Sequence, residues 1–397
     1  MSLTNPNLEG YAITRGMWLY FYNPNKKTFK APKKCLGCYN NDTFVVWAVS
    51  VAAQAIVDGA RIYPELKPLI GPAIDTFQRY KNNHTKGFSA AENGGNDTDI
   101  YYDDDAQVAS AMLTAYEVTG EKRFLDQGRE LTRFLMGGWH PKIGGIKWHV
   151  SKTYVNACTT AEVAKACLQC SKFIPDEAQT YIDFAAKCIQ WQIDTLQDKN
   201  DKCIIDGVQP DGMKFENGKL TYNTGTTLSC AAHLWHITKD EKWKNIADDL
   251  AKASIDHNVP FFDRDYPMEL RYWRDPNYWT QLLIEGLADY LLYVGNDAPE
   301  GLPKAIHDEV LRNILMYYKY AKDPQDGLYI QTFEPHGTFP EKADLYKEEF
   351  QGKKKVGFKG EDSDGGKPQK CLMGLGAAAR CFFQAARIIP EIHYNNN

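Results

Sequence analysis

The chain has 397 residues and a mass of 45.1 kDa, room for one large repeat-built domain or two ordinary ones. Hydrophobic residues at 43% and charged residues at 24% exclude a disordered, collagen-like or coiled-coil chain. A net charge of −5 gives no global attraction to phosphate and argues against nucleic acid, and no apolar run of about 18 residues is present to span a membrane.

Apolar residues recur at helical spacing from end to end, as at 109, 112, 113 and 116. In chain order the periodicity predicts helices over 8–24, 41–63, 66–83, 104–118, 122–137, 158–172, 176–198, 224–238, 241–257, 278–294, 301–320 and 371–389. The links at 64–65, 119–121, 173–175, 239–240 and 295–300 are short. The connections near 25–40, 84–103, 138–157, 199–223, 258–277 and 321–370 are long. In an up-down array every second connection lies at the same end, so all six long ones share one face. Long structureless connections are usually functional or disordered, and six together predict a binding surface.

An internal repeat supports this pairing. Residues 118–124 (Val-Thr-Gly-Glu-Lys-Arg-Phe) align without a gap on 237–243 (Ile-Thr-Lys-Asp-Glu-Lys-Trp). Each joins a helix rich in small residues to a highly charged one, which is the difference between a buried and a peripheral helix. Ala52-Ala53, Ala109-Ser110-Ala111, Cys230-Ala231-Ala232 and residues 374–379 mark the even-numbered helices as an inner ring. Six inner and six outer helices predict an all-α (α/α)6 barrel, a six-hairpin toroid occupying 1–397 as a single domain.

The segment 87–121 holds Glu92, Asp97, Asp99, Asp103, Asp104, Asp105, Glu117 and Glu121 without one Lys, Arg or His. Its centre, Asp103-Asp104-Asp105, falls where a long loop enters an inner helix. A single Asp there is explained by capping and the helix dipole. Three in succession repel one another, raise at least one pKa, and so place a proton donor beside an ionised carboxylate. Such a pair is the minimum machinery of glycoside hydrolysis; capping and calcium binding are the competing readings, with Asp97, Asp99 and Asp103 only faintly matching a calcium loop.

Trp139, Trp148 and Trp273 lie in long loops, where indole faces can stack on sugars, and residues 222–225 (Tyr-Asn-Thr-Gly) enter an inner helix much as the Asp run does. His233 and His236 read as core histidines. Cys35-Leu-Gly-Cys38 has zinc-like spacing, but its companion pair, Cys167 and Cys170, lies on a predicted helix, so no metal site is expected. The ten cysteines leave the redox compartment open. The first residues carry no signal-peptide pattern, while Asn41, Asn83 and Asn96 head Asn-X-Thr sequons that would suit a secreted chain.

Tyr101-Tyr-Asp-Asp-Asp-Ala106, Tyr116-Glu-Val-Thr-Gly120, Gly144-Gly-Ile-Lys-Trp148, Asn156-Ala157 and Thr221-Tyr-Asn-Thr-Gly225 resemble, in this order, the motifs of glycoside hydrolase family 76, over roughly 40–295. That resemblance implies an (α/α)6 barrel and a cofactor-free, retaining glycosidase cleaving α-mannan, endo-acting on α-1,6 linkages. It also implies a secreted, periplasmic or cell-surface setting. Residue by residue it makes Asp103 the nucleophile and Asp104 the acid/base, with Asp104 and Asp105 as the alternative register. Asp105, Trp148, Asn156, Tyr222 and Asn223 fall within these motifs and, with Trp273 from its long loop, are the expected substrate contacts. The chain departs from the family pattern at Gln107-Val108, where aromatics are common, and at Tyr278-Trp-Thr-Gln281, where Phe-Lys-Gly often stands; hydrolysis therefore transfers more securely than the exact linkage. A monomer with a mannan substrate is expected. A transglycosylase of the same fold and a non-catalytic, calcium-holding glycan-binding toroid are the alternatives.

Overall fold

In a computed structural model the described residues are 2–93, 98–212, 215–216, 218–333, 339–352, 363–364 and 367–393. Asn96 and Asp97, singled out above, lie outside them. The twelve predicted helices are all present. The inner six are α2 (Val46–Ala60), α4 (Tyr102–Thr119), α6 (Ala157–Phe173), α8 (Thr221–Thr238), α10 (Asn277–Tyr293) and α13 (Leu372–Ala386). The outer six are α1 (Pro6–Phe21), α3 (Lys67–Asp75), α5 (Lys122–Met136), α7 (Ala178–Leu196), α9 (Glu241–Ile255) and α11 (Leu302–Ala321). A thirteenth, α12 (Ala343–Glu349), interrupts the last long connection, and the predicted helix 66–83 ends early, continuing as a 3₁₀ turn over Thr76–Tyr80.

Inner helices contact one another in the order α2, α4, α6, α8, α10, α13 and back to α2, so the ring closes. Chain order explains the layering. The outward helix α5 alternates apolar and charged residues and buries only one stripe, whereas α13 is buried from Leu372 to Ala386. Small residues set the spacing. A Cβ on Gly225 of α8 would lie 2.4 Å from the Leu283 Cα of α10, and one on Gly286 would lie 2.2 Å from the Gly225 carbonyl oxygen. These backbones touch, and only glycine fits.

The repeat identified in the sequence is a repeated corner. At α4–α5 the backbone reverses through Gly120 (φ 74°), whose N–H donates to the Tyr116 carbonyl; at α8–α9 Lys239 (φ 55°) donates to that of Trp235. The Thr before each, Thr119 and Thr238, donates its hydroxyl four residues back and accepts the N–H two residues on. The shared Thr marks the same turn, with Gly in one copy and Lys in the other at the left-handed position.

The centre of the ring is filled by charge. Arg380 of α13 donates to Asp58 of α2 at 2.9 Å and to Gln281 and Glu285 of α10 at 2.7 and 2.9 Å. Lys165 of α6 pairs with the same Glu285 at 2.7 Å. Arg380 is 3% exposed, so this network carries the desolvation cost of its ions and is held together by mutual pairing.

The long connections all lie at the N-terminal end of the inner helices. Five first-turn amides there are received by the next long connection around the ring: Val46 N by Ala90 O, Tyr102 N by Trp148 O, Ala157 N by Asp206 O, Thr221 N by the Asp275 carboxylate, and Asn277 N by Gln331 O, all within 2.7–2.9 Å. Amides orphaned by helix geometry thus tie these loops to the ring. Small sheets brace this face, including one in which Val155 pairs with Val208 and Asn156 with Gly207.

Candidate active site

The Asp run opens α4, but not as a cap. The N-cap is Tyr101, which offers no side-chain bond, and the three carboxylates occupy the first helical turn. At about 100° per residue they point three ways. Asp103 and Asp104 are partly exposed at the long-loop face. Asp105 is 0% exposed, faces the outer layer beside Gly87 and Phe134, and accepts the Phe88 N–H on both oxygens, at 3.3 and 3.0 Å. Helical phase therefore separates Asp105 from the other two, and it stands away from the position assigned to it as a substrate contact.

Asp103 is held by three donors: the Trp148 indole N–H at 3.0 Å, the Asp104 backbone N–H at 3.0 Å and the Cys158 thiol at 3.5 Å. Burial raises its pKa to about 6 despite these donors, which pull the other way. Asp104 has no hydrogen-bond donor to its carboxyl among the described residues. Burial first, then the charges of Asp103, Asp105 and Asp99, push its pKa well above the usual carboxylate range. Two neighbouring carboxyls are thus pushed apart, the one with donors ionising first and the one without keeping its proton.

Around them stand the first turns of the other inner helices. Asn156 caps α6 and donates to Cys158 at 3.0 Å. Tyr222 of α8 bonds the same thiol and stacks on Trp279 of α10 with ring centroids 5.5 Å apart, and Trp279 lies edge-on to Tyr278, which meets Trp47 of α2. Asn223 donates to Asp206 at 3.2 Å, and Tyr154 donates to the other oxygen of that carboxylate at 2.7 Å. Trp148 is edge-packed against Tyr101 at 4.9 Å, with the Lys152 ammonium 4.9 Å from its ring.

Of the residues predicted for the site, Asp103, Asp104, Trp148 and Tyr222 come together partly exposed, while Asn156 and Asn223 stand beneath them, 4% and 0% exposed, holding Cys158 and Asp206. Trp273 does not: it is 0% exposed, and its indole donates to the Ser254 carbonyl under the outer layer. Trp139 also packs peripherally, against Phe184 and under Lys187. Cys158, Tyr154, Asp206 and Trp279 escaped the sequence reading. Cys158 and Asp206 carried a weak signal, one adjoining the Asn156-Ala157 motif and the other in a long connection.

The acidic stretch is less uncompensated than the sequence suggests. Glu92 is paired with Arg79 at 3.5 Å, from the turn just before the stretch, and with Lys30 at 3.2 Å, from a distant segment of the chain. Among the described residues no three His, Cys, Asp or Glu side chains are grouped to hold a metal. A cavity of about 570 Å³ opens at the opposite end of the ring, lined by Asp58, Lys165, His233, Glu285, Asp289 and Arg387. Its lining comes from the middle and C-terminal ends of the inner helices, whereas Asp103 lies in the first turn of α4, and His233 and His236 belong to that far end.

A toroid of inner helices whose amino ends gather around two electrostatically split carboxyls is an architecture suited to carboxylate-pair chemistry. The sequence model of glycosyl hydrolase family 76 matches residues 9–312, and the chain belongs to that family. The meiotically up-regulated gene 191 protein of Schizosaccharomyces pombe is 29% identical over 387 residues, covering 89% of this chain and 86% of its own. Among solved structures, the family 76 mannosidase Bt3792 of Bacteroides thetaiotaomicron superposes with a TM-score of 0.75 at 17% identity, covering 96% of this chain and 98% of that one. An inactive variant of the α-1,6-mannanase GH76A of Salegentibacter sp. HEL1_6, in complex with α-1,6-mannotriose, gives 0.70 at 16%, covering 96% and 99%. At these identities the structural likeness concerns the fold, an (α/α)6 toroid.

Proposed function

We propose that this chain is a retaining α-mannan hydrolase, endo-acting on α-1,6-mannosidic bonds, with Asp103 as nucleophile and Asp104 as acid/base. The observation that carries the reading is the unequal treatment of two adjacent carboxyls, one furnished with three donors and the other with none among the described residues. Above about pH 6 Asp103 is ionised while Asp104 keeps its proton. Asp103 attacks the anomeric carbon as Asp104 protonates the departing oxygen, and water activated by Asp104 then releases the sugar from Asp103. The positive end of α4 favours the ionised nucleophile.

Tyr222 and Trp279 offer a partly exposed stacked face, and Asp206, held from beneath by the buried Asn223, a hydrogen-bonding edge. The names of the structural relatives, a mannosidase and an α-1,6-mannanase bound to mannotriose, support mannan as the substrate class. The test is a screen on linear α-1,6-mannan, branched yeast mannan and its debranched form. Reducing ends released throughout the linear polymer support the reading; transfer to an added sugar acceptor in place of hydrolysis makes the chain a transglycosylase, and no turnover with calcium-dependent stabilisation makes it a binding toroid.

A further inference from the structure

Eight of the ten cysteines are buried; Cys35 and Cys38 are half-exposed. They sit in the connection from α1 to α2, with their sulfurs 3.2 Å apart, and the Cys35 backbone N–H donates to the Cys38 sulfur at 3.1 Å. Gly37 between them has φ 77°, and a Cβ there would meet that of Ala48 on α2 at 3.0 Å, so the turn is pinned to the ring and the two thiols are held facing each other. A disulfide needs about 2.05 Å, an approach of roughly 1.2 Å by side chains already aligned.

We propose that Cys35 and Cys38 form a thiol–disulfide exchange site for small disulfides, with Cys38 the attacking thiol and Cys35 the resolving one. The Cys35 thiol and N–H bond, with Lys34 nearby, lowers the Cys38 pKa to about 7, while the Cys35 thiol is pushed up by its bond to Cys38. The Cys38 thiolate attacks one sulfur of the small disulfide, forming a mixed disulfide and expelling the first thiolate. Cys35 then gives its proton to water and attacks the Cys38 sulfur, forming the Cys35–Cys38 bond and expelling the second thiolate. The pair loses two electrons, and the small disulfide gains them as two thiols.

The experiment uses full-length protein, reduced and freed of reductant, treated with dithionitrobenzoate at pH 7 without denaturant. The expected result is a fast phase releasing two thionitrobenzoate ions per chain and leaving a protein lighter by about 2 Da, with the bond mapped to Cys35 and Cys38. Cys35→Ser is expected to release one ion and keep a stable adduct on Cys38, and Cys38→Ser to lose the fast phase. A wild type with no fast phase, or one that retains the adduct, overturns the proposal without any variant being needed.

Discussion

Trp148→Phe isolates one donor to the proposed nucleophile. The ring that packs on Tyr101 and beneath Lys152 is largely kept, but the indole N–H 3.0 Å from Asp103 is lost. A hydrogen bond to a charged acceptor contributes about 1.5–3 kcal/mol, and one pKa unit is about 1.36 kcal/mol, so the full loss would raise the Asp103 pKa by about 1–2 units. The Asp104 N–H and the Cys158 thiol remain and take part of the load, which favours the lower figure. Removing a donor to the ionised form raises the pKa, so the acid limb of kcat/KM moves from near 6 to about one unit higher. At pH 5.5 activity should fall about tenfold, and above the new limb much of it should return. The assay is reducing-end release from α-1,6-mannan across pH, with the thermal midpoint as a folding control. An equal loss at every pH with the limb unmoved would refute this reasoning and make Trp148 a sugar platform alone.

Three further outcomes follow from the same structure. Gly225→Ala forces a methyl group against the α10 backbone and should destabilise the fold by about 1–3 kcal/mol or more in a denaturant titration, because neither helix can yield without opening the ring. Arg380→Met leaves Asp58 and Glu285 buried without their shared partner and should cost about 3–5 kcal/mol, measured the same way; Lys165 keeps part of Glu285 satisfied. Glu162, buried in α6, has its pKa raised to about 7, chiefly by burial, so the native state holds its proton more tightly than the unfolded chain. It stabilises the fold at low pH and ceases to as pH rises through 7; Glu162→Gln should therefore narrow the gap in thermal midpoint between pH 5 and pH 8.

How far the sequence reached depended on what each pattern encodes. Helical periodicity and small-residue helices located twelve helices and the inner ring, because burial on all sides leaves a compositional mark even without contacts. The short α12 went unseen since it is under two turns long and only Tyr346 on it is buried, too little for a helical stripe. At the site, residue type and motif order led to Asp103, Trp148 and Tyr222, but not to facing. Asp103, Asp104 and Asp105 are indistinguishable as letters; helical phase turns the third toward Phe88. Trp273 lies in a long connection as Trp148 does, yet its loop runs over α9 and buries it, a difference no local pattern carries. Cys158 and Glu92 show the same limit, since a thiol bonded to Asp103 and an acid neutralised by Lys30 are products of distant contacts.

The central claim is that Asp103 and Asp104 together cleave the glycosidic bond. Its most direct test is reducing-end release from linear α-1,6-mannan by wild type, Asp103→Asn and Asp104→Asn at pH 6.5, each shown folded by its thermal midpoint. The expected result is hydrolysis by the wild type with an α-configured first product, and loss of activity by at least about a thousandfold in either variant. Wild-type turnover in Asp103→Asn or in Asp104→Asn would contradict the account.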